Sequence, residues 1–137
     1  MPAFIKRFRN HLLLVALVPL LSFFIGLGEN KKSTPIIRFE ATTIFFDTIK
    51  AGKKITGEFV YKNTGDVPLN ILTVQASDGG TIAYWPEQLI MPGAKGKIEV
   101  EFGFTETRQG CQDKLFTVLS NAQNNPETLH WKGYIKQ

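Results

Sequence analysis

Few residues of this chain could do chemistry. His130 is the only histidine outside the apolar amino-terminal stretch, and Cys111 is the only cysteine. A metal or hydrolytic centre needs several such groups together, whereas His130 stands between Leu129 and Trp131, as a surface histidine of a strand would. Asp78 precedes Gly79-Gly80, but a single carboxylate beside glycines is the ordinary make-up of a turn, not of a cation site. The glycine pair also lacks the strand-to-helix setting and lysine of a phosphate loop. No nucleophile elbow or second base offers a Ser/His/Asp triad. The sequence therefore predicts no enzyme, no metal and no cofactor.

What remains is contact chemistry. Tyr84 and Trp85 follow a short apolar piece and are expected in a loop, where their rings would form a platform for sugar; Trp131 has the inward phase of a strand and is expected in the core. Leu115 and Leu119 fall on the face opposite Phe116 and Val118, an apolar outer surface for a neighbouring element or a partner protein. Cys111 has no second cysteine for an intrachain disulfide. Its polar surroundings, Thr105 to Asp113, predict an exposed loop and a thiol able to link two copies as a homodimer. Asp47-Thr48-Ile49 matches a three-residue acceptor for bacterial O-glycosylation at Thr48, although so short a match arises often by chance and an ordinary turn is the favoured reading.

The elements that must position these residues are strands. Ile36 to Phe46 is rich in β-branched and aromatic residues, with a break expected near Glu40 or Ala41. From Ile55 onward, Ile55, Gly57, Phe59 and Tyr61 share one face, against Thr56, Glu58 and Lys62 on the other. Asn63-Thr64-Gly65 reads as a turn whose residues tolerate positive φ, followed by Pro68. Leu69 and Ile71 then keep one phase while Leu72, Val74 and Ala76 keep the other, which predicts a β-bulge. Ser77 to Thr81 is a sharp break. After Pro92-Gly93, the run Ile98, Val100, Phe102, Phe104 alternates with Lys97, Glu99 and Glu101. Phe116 and Val118 lead the next strand, and Leu129, Trp131 and Ile135 the last. About seven short strands with Gly/Pro turns predict an all-β, immunoglobulin-like antiparallel β-sandwich over residues 36–137.

Ahead of it, Lys6, Arg7 and Arg9 precede a 16-residue uncharged run, Leu12 to Leu27. At ~1.5 Å per residue this spans ~24 Å, short of the ~30 Å hydrocarbon core. Residues 1–28 are thus expected to be a hydrophobic helix serving as a signal peptide cleaved after Gly28, with an uncleaved signal anchor as the alternative. Residues 29–35 would be a tether. The formal charge of +4 does not point to nucleic acid: from Glu29 onward 13 Lys+Arg face 12 Asp+Glu, a net of +1, and the cations form no stripe.

The order Phe39-Glu40, Phe46-x-Thr48-Ile49-x-x-Gly52, Phe59-x-Tyr61-x-Asn63-Thr64-Gly65-x-x-Pro68-Leu69-x-Ile71, Pro92-Gly93-x-x-Gly96-x-Ile98-x-Val100-x-Phe102 and Ser120-Asn121-Ala122 resembles the bacterial domain of unknown function 1573, over nearly all of residues 37–135. That family is similar to the immunoglobulin-like domains of major sperm protein and of cilium-associated proteins. The resemblance implies a fold and an exported address, with no established activity. Two departures stand out. Ser77-Asp78-Gly79-Gly80-Thr81 takes the place of the family's Ser-Cys-Gly-Cys-Thr, so any thiol or metal role of that loop is gone. Phe45-Phe46-Asp47 takes the place of Asp-Phe-Gly.

The expectation is a non-enzymatic exported module, periplasmic or envelope-associated, that makes contacts with envelope proteins. A carbohydrate-binding module using Tyr84 and Trp85 is the first alternative, and a membrane-anchored spacer the second. If Tyr84 and Trp85 form a sugar platform, Trp85→Ala should lower glycan retention and leave the melting temperature unchanged. A fall in melting temperature would instead make Trp85 a structural residue.

Overall fold

The computed structural model describes Gly28, residues 31–103 and residues 109–137. All but the last residue of the expected 1–28 segment, and Phe104, lie outside the described residues. The chain divides between Lys32 and Ser33, and the strands all belong to Ser33–Gln137.

Nine strands are seen among the described residues: β1 (Ile37–Phe39), β2 (Thr43–Phe45), β3 (Ile49–Lys50), β4 (Ile55–Asn63), β5 (Ile71–Ala76), β6 (Thr81–Tyr84), β7 (Lys95–Phe102), β8 (Gly110–Ser120) and β9 (Glu127–Lys136). They form two sheets, ordered β1-β4-β7-β6 and β2-β9-β8-β5, with β3 also on β9. The count exceeds seven because the opening stretch is not one strand. It breaks after Phe39, so that β1 pairs antiparallel with β4 while β2 and β3 cross to the other sheet. Those two pair parallel with β9, so the sandwich is not wholly antiparallel.

Alternation builds the core as expected. Phe59, Tyr61, Ile98, Val100 and Phe102 of one sheet meet Phe116, Val118, Leu129, Trp131 and Ile135 of the other, all essentially buried. Phe59 and Phe116 cross edge to face at 5.9 Å. Each such side chain contributes ~1.5–3 kcal/mol on leaving water. In β5 the register shifts between Ile71 and Thr73, the expected bulge. It buries Ile71 and Val74 but turns Leu72 outward, so Leu72 does not share the inward face of Val74.

The turn after β4 is built differently from its sequence reading. Gly65 does not have positive φ; it is glycine because a Cβ would stand 2.2 Å from the Thr34 carbonyl oxygen and 2.6 Å from the Ile36 nitrogen. The chain entering β1 thus passes directly over it. Pro35 is buried, and the Thr34 amide donates to Asp66 Oδ1 at 2.9 Å, so the last residues of the expected tether are part of the sandwich. Positive φ is needed at Gly93, at 81°, in the Pro92-Gly93 turn.

Asn63 ties these pieces together. It is fully buried. Its Nδ2 donates to the carbonyls of Val67 at 2.8 Å and Ile90 at 2.9 Å, and its Oδ1 accepts from the Gly65 amide at 3.0 Å. Its backbone carbonyl accepts from Gly93 at 2.8 Å, and its amide donates to the Ala94 carbonyl at 3.0 Å.

A second polar group lies inside the sandwich. Lys114 has the inward phase of β8 and is 3% exposed. Its ammonium contacts Asp78 Oδ2 and sits 4.3 Å from the centre of the Phe102 ring. Asp78 Oδ1 accepts from Thr81 Oγ1 at 2.7 Å and from the Gly80 amide at 3.2 Å. The turn-forming role of Asp78 is therefore joined by an ion pair that closes one end of the core.

Asn63→Ala should lower unfolding free energy by about 3 kcal/mol, because buried backbone groups lose their partners; urea denaturation measures this. Lys114→Met should cost about 3–5 kcal/mol by taking the cation from a largely buried carboxylate. Adding Asp78→Asn, which keeps the turn and removes the charge, should return part of that loss.

Candidate functional site

Outward residues of the β2-β9-β8-β5 sheet fall into rows fixed by register. Phe45 pairs with Lys132, which pairs with Asp113. Tyr134 pairs with Cys111, and His130 with Leu115. His130 Nδ1 lies 3.1 Å from Asp113 Oδ1, and Lys132 Nζ is 3.7 Å from Asp113 Oδ2, so the histidine is satisfied at the surface. Phe46 turns inward, its ring edge-on to Trp131 at 5.6 Å. It lies over Gly133, where a Cβ would be 2.2 Å from the ring.

Phe45, by contrast, is 76% exposed. With Tyr134 it lines a hollow of about 600 Å3 whose wall also includes Thr48 and Cys111. The structure thereby brings together two candidates that the sequence places 63 residues apart. Cys111 is free and exposed, but it lies in β8 rather than in a loop, because Gly110 already pairs with Ile135 of β9. Thr48 is exposed between β2 and β3. Leu115 and Leu119 share this outer face but not the hollow: Thr117 separates them along β8, Leu115 is 36% exposed and Leu119 is half-buried.

Sequence reasoning missed Phe45. A run of two phenylalanines reads as buried, and the parallel pairing with β9 shows which of them is outside. The available signal was the alternation of Ile44 and Phe46 against Thr43 and Phe45.

Tyr84 and Trp85 stand on the other sheet. Tyr84 is the last residue of β6, opposite Glu99 of β7, and is 53% exposed. Trp85 is half-buried and packs against the core. The two rings therefore do not make one open platform, and the expected effect of Trp85→Ala is on stability. Both line a hollow of about 400 Å3 with Lys95, Gly96 and Lys97. The nearby outer face is a lattice of exposed ion pairs: Lys97 with Glu58 at 3.1 Å and Glu99 at 2.8 Å, Lys95 with Glu40 at 2.9 Å. Lys97 is held above the usual lysine range chiefly by its hydrogen bonds to Glu99 and Glu58. Lys54 is likewise raised by Glu101. Tyr61, beneath this face, has its phenol pushed up to about 12 by burial.

Among the described residues no three of His, Cys, Asp and Glu come together as a metal-holding group. The first hollow is bounded by Phe45, Tyr134, Asp113 and Lys132, and the second by Tyr84, Trp85, Lys95, Lys97 and Glu99, so each combines rings with charged groups that can bind a surface by contact and hydrogen bonding.

Solved structures share this fold at low identity. A protein of unknown function from Porphyromonas gingivalis W83 superimposes with a TM-score of 0.60 at 13% identity, over 78% of this chain and 50% of that one. The chain thus spans half the length of that protein. The ASH/PapD-like domain 7 of human CEP192 matches at 0.56 and 13% identity, covering 80% of this chain and 92% of the domain. The YadV chaperone matches at 0.51 and 16% identity, over 73% and 51%. No curated protein matches the chain. Residues 37–135 carry the pattern of the family described as Protein of unknown function (DUF1573), and the chain belongs to that family.

Proposed function

We propose that this protein is a non-enzymatic, immunoglobulin-like module that makes protein contacts in the cell envelope, exported by its first 28 residues. The observation that carries the reading is the Phe45 surface. A phenylalanine 76% exposed, beside Tyr134 at 47%, lines one hollow on a sheet face that also carries Asp113, Lys132 and His130 and, further along β8, Leu115. Isolated exposed apolar residues need no explanation, but adjoining aromatic rings around a concavity are what a protein partner buries. The low-identity likeness to PapD-like domains supports the fold alone. Cys111 in the same wall gives a covalent route to a second copy, and a glycan on Thr48 would cover the hollow and compete with a partner for it.

The sugar reading keeps only Tyr84 as an exposed ring, and so is the weaker. A membrane-anchored spacer differs from the main reading in whether residues 1–28 remain attached, and the intact mass of the protein recovered from cells decides between them.

The test uses Cys111 as a natural handle. A thiol-directed photo-cross-linker on Cys111 in intact cells should capture a defined partner. Phe45→Ser should reduce that capture about tenfold, the scale of ~1.4 kcal/mol at a contact hot spot, with the melting temperature unchanged. Capture that is indifferent to Phe45→Ser would overturn the assignment of this surface.

A further inference from the structure

β7 is paired along all of one side, from Lys95 opposite Lys62 to Phe102 opposite Ile55 of β4. On its other side β6 covers only Glu99 to Phe102, ending with Tyr84 opposite Glu99. Lys95–Ile98 therefore have a strand on one side only among the described residues. The cause lies in the chain after Tyr84. Pro86 has no amide hydrogen to give a sheet, and Ile90 exchanges both backbone hydrogen bonds with Leu69, at 2.9 and 2.8 Å. The Asn63 carboxamide fixes the Ile90 carbonyl from below. The natural continuation of β6 is thus pulled away from β7, and the hollow of about 400 Å3 opens between Trp85, Pro86 and Ile90 on one side and Lys95–Lys97 on the other.

A second, independent feature belongs to the same place. Tyr61 is 0% exposed, and its hydroxyl is the one buried side-chain polar atom among the described residues with no hydrogen-bond partner. The hydroxyl end lies against Gly96: a Cβ there would be 2.6 Å from Tyr61 Oη. Gly96 also lines the hollow. A buried hydroxyl left without an acceptor is costly; the hydroxyl is sealed as the ring stands, and a small shift of the ring toward the open edge beside Gly96 is what would bring it an acceptor.

The charges select the occupant. Lys95 and Lys97 have the outward phase, so outward residues of an added strand would stand next to them, where opposite charges are favoured. Their present partners, Glu40, Glu58 and Glu99, are exposed, and such surface pairs are exchanged at little cost. We infer that the Lys95–Ile98 edge binds an extended segment of a partner protein as an added strand, acidic at its outward positions and apolar at its inward ones, with an acceptor for the Tyr61 hydroxyl. This rests on the reading of the domain as a contact module but uses a surface separate from Phe45.

The probe is a short synthetic peptide of alternating valine and glutamate with threonine at its central inward position, and its counterpart has lysine in place of each glutamate; each is added to the full-length protein. The acidic peptide should slow amide hydrogen exchange at Lys95–Ile98 by about tenfold or more at saturation, and the basic one should not. Tyr61→Phe should weaken the acidic peptide roughly fivefold, the scale of one hydrogen bond, without lowering the melting temperature. Lys95→Glu, an exposed change, should narrow or reverse the preference between the peptides. Protection by neither peptide, protection at Ile71–Ala76 instead, or affinity indifferent to both substitutions overturns this site. A soluble glycan that perturbs Tyr84 where both peptides leave Lys95–Ile98 unprotected would assign the hollow to sugar. Those outcomes leave capture through the Phe45 surface intact, whereas loss of that capture with the peptide result preserved would remove the Phe45 assignment alone.

Discussion

The carboxamide of Asn63 is the constraint on which much of the molecule depends. It is buried at the end of β4, where the chain must turn, and it meets backbone groups from the Gly65–Val67 turn and from Ile90. A buried amide of this kind stabilises only when all its partners are in place. Holding it satisfied fixes where the chain enters β1, how close Thr34 passes to Gly65, and where the segment after β6 must run. The open side of β7 follows from the last of these. A local hydrogen-bonding requirement at one end of the sandwich thereby sets the shape of a surface at its edge.

With a single cysteine, cohesion between the sheets comes from packing. Phe59 on Phe116 crosses from one sheet to the other, while Phe39 on Tyr61 and Phe46 on Trp131 pack side by side within a sheet and give it a continuous inner surface. Glycines set their spacing. Gly57 lies under Trp131, where a Cβ would be 3.2 Å from the indole, and Gly133 lies under Phe46. Large rings on one strand are matched by missing side chains on the next, which is how thin sheets reach interior packing density. Phe46 is drawn inward by this match, and its neighbour Phe45 is forced outward by the strand period.

The alternating strands were legible because burial on one face leaves a period of two in the sequence: β4, β7 and β9 face the way their residues predict, and the bulge in β5 showed as a change of phase. The short pieces were less legible. Nothing in Thr43 to Phe45 distinguishes parallel from antiparallel pairing, since that depends on where β9 lies, some 85 residues on. Trp85 was expected in the open because it follows a strand and precedes Pro86, yet the Leu69–Ile90 bridge brings it against the core. Cys111 was expected in a loop because its neighbours are polar, but it pairs with Tyr134 of β9, a partner 23 residues on that the local composition does not show. Lys114 was invisible for a different reason. A lysine in the inward phase resembles any solvated one until its partner Asp78, 36 residues away in sequence, is placed beside it.

That ion pair stands at Ser77 to Thr81, the turn where the resemblance read from the sequence implies two cysteines in other members of the family. A tie made of sulfur depends on the compartment: it needs an electron acceptor to form and can be undone by thiols. A tie made of an ammonium and a carboxylate is complete as soon as the chain folds, and neither an oxidase nor a reductant has any purchase on it. The β5–β6 end of this sandwich is therefore closed independently of the redox poise of its surroundings, and Cys111, on the opposite face of β8, is left as the only point where an oxidant could act on the molecule through sulfur–sulfur bond formation.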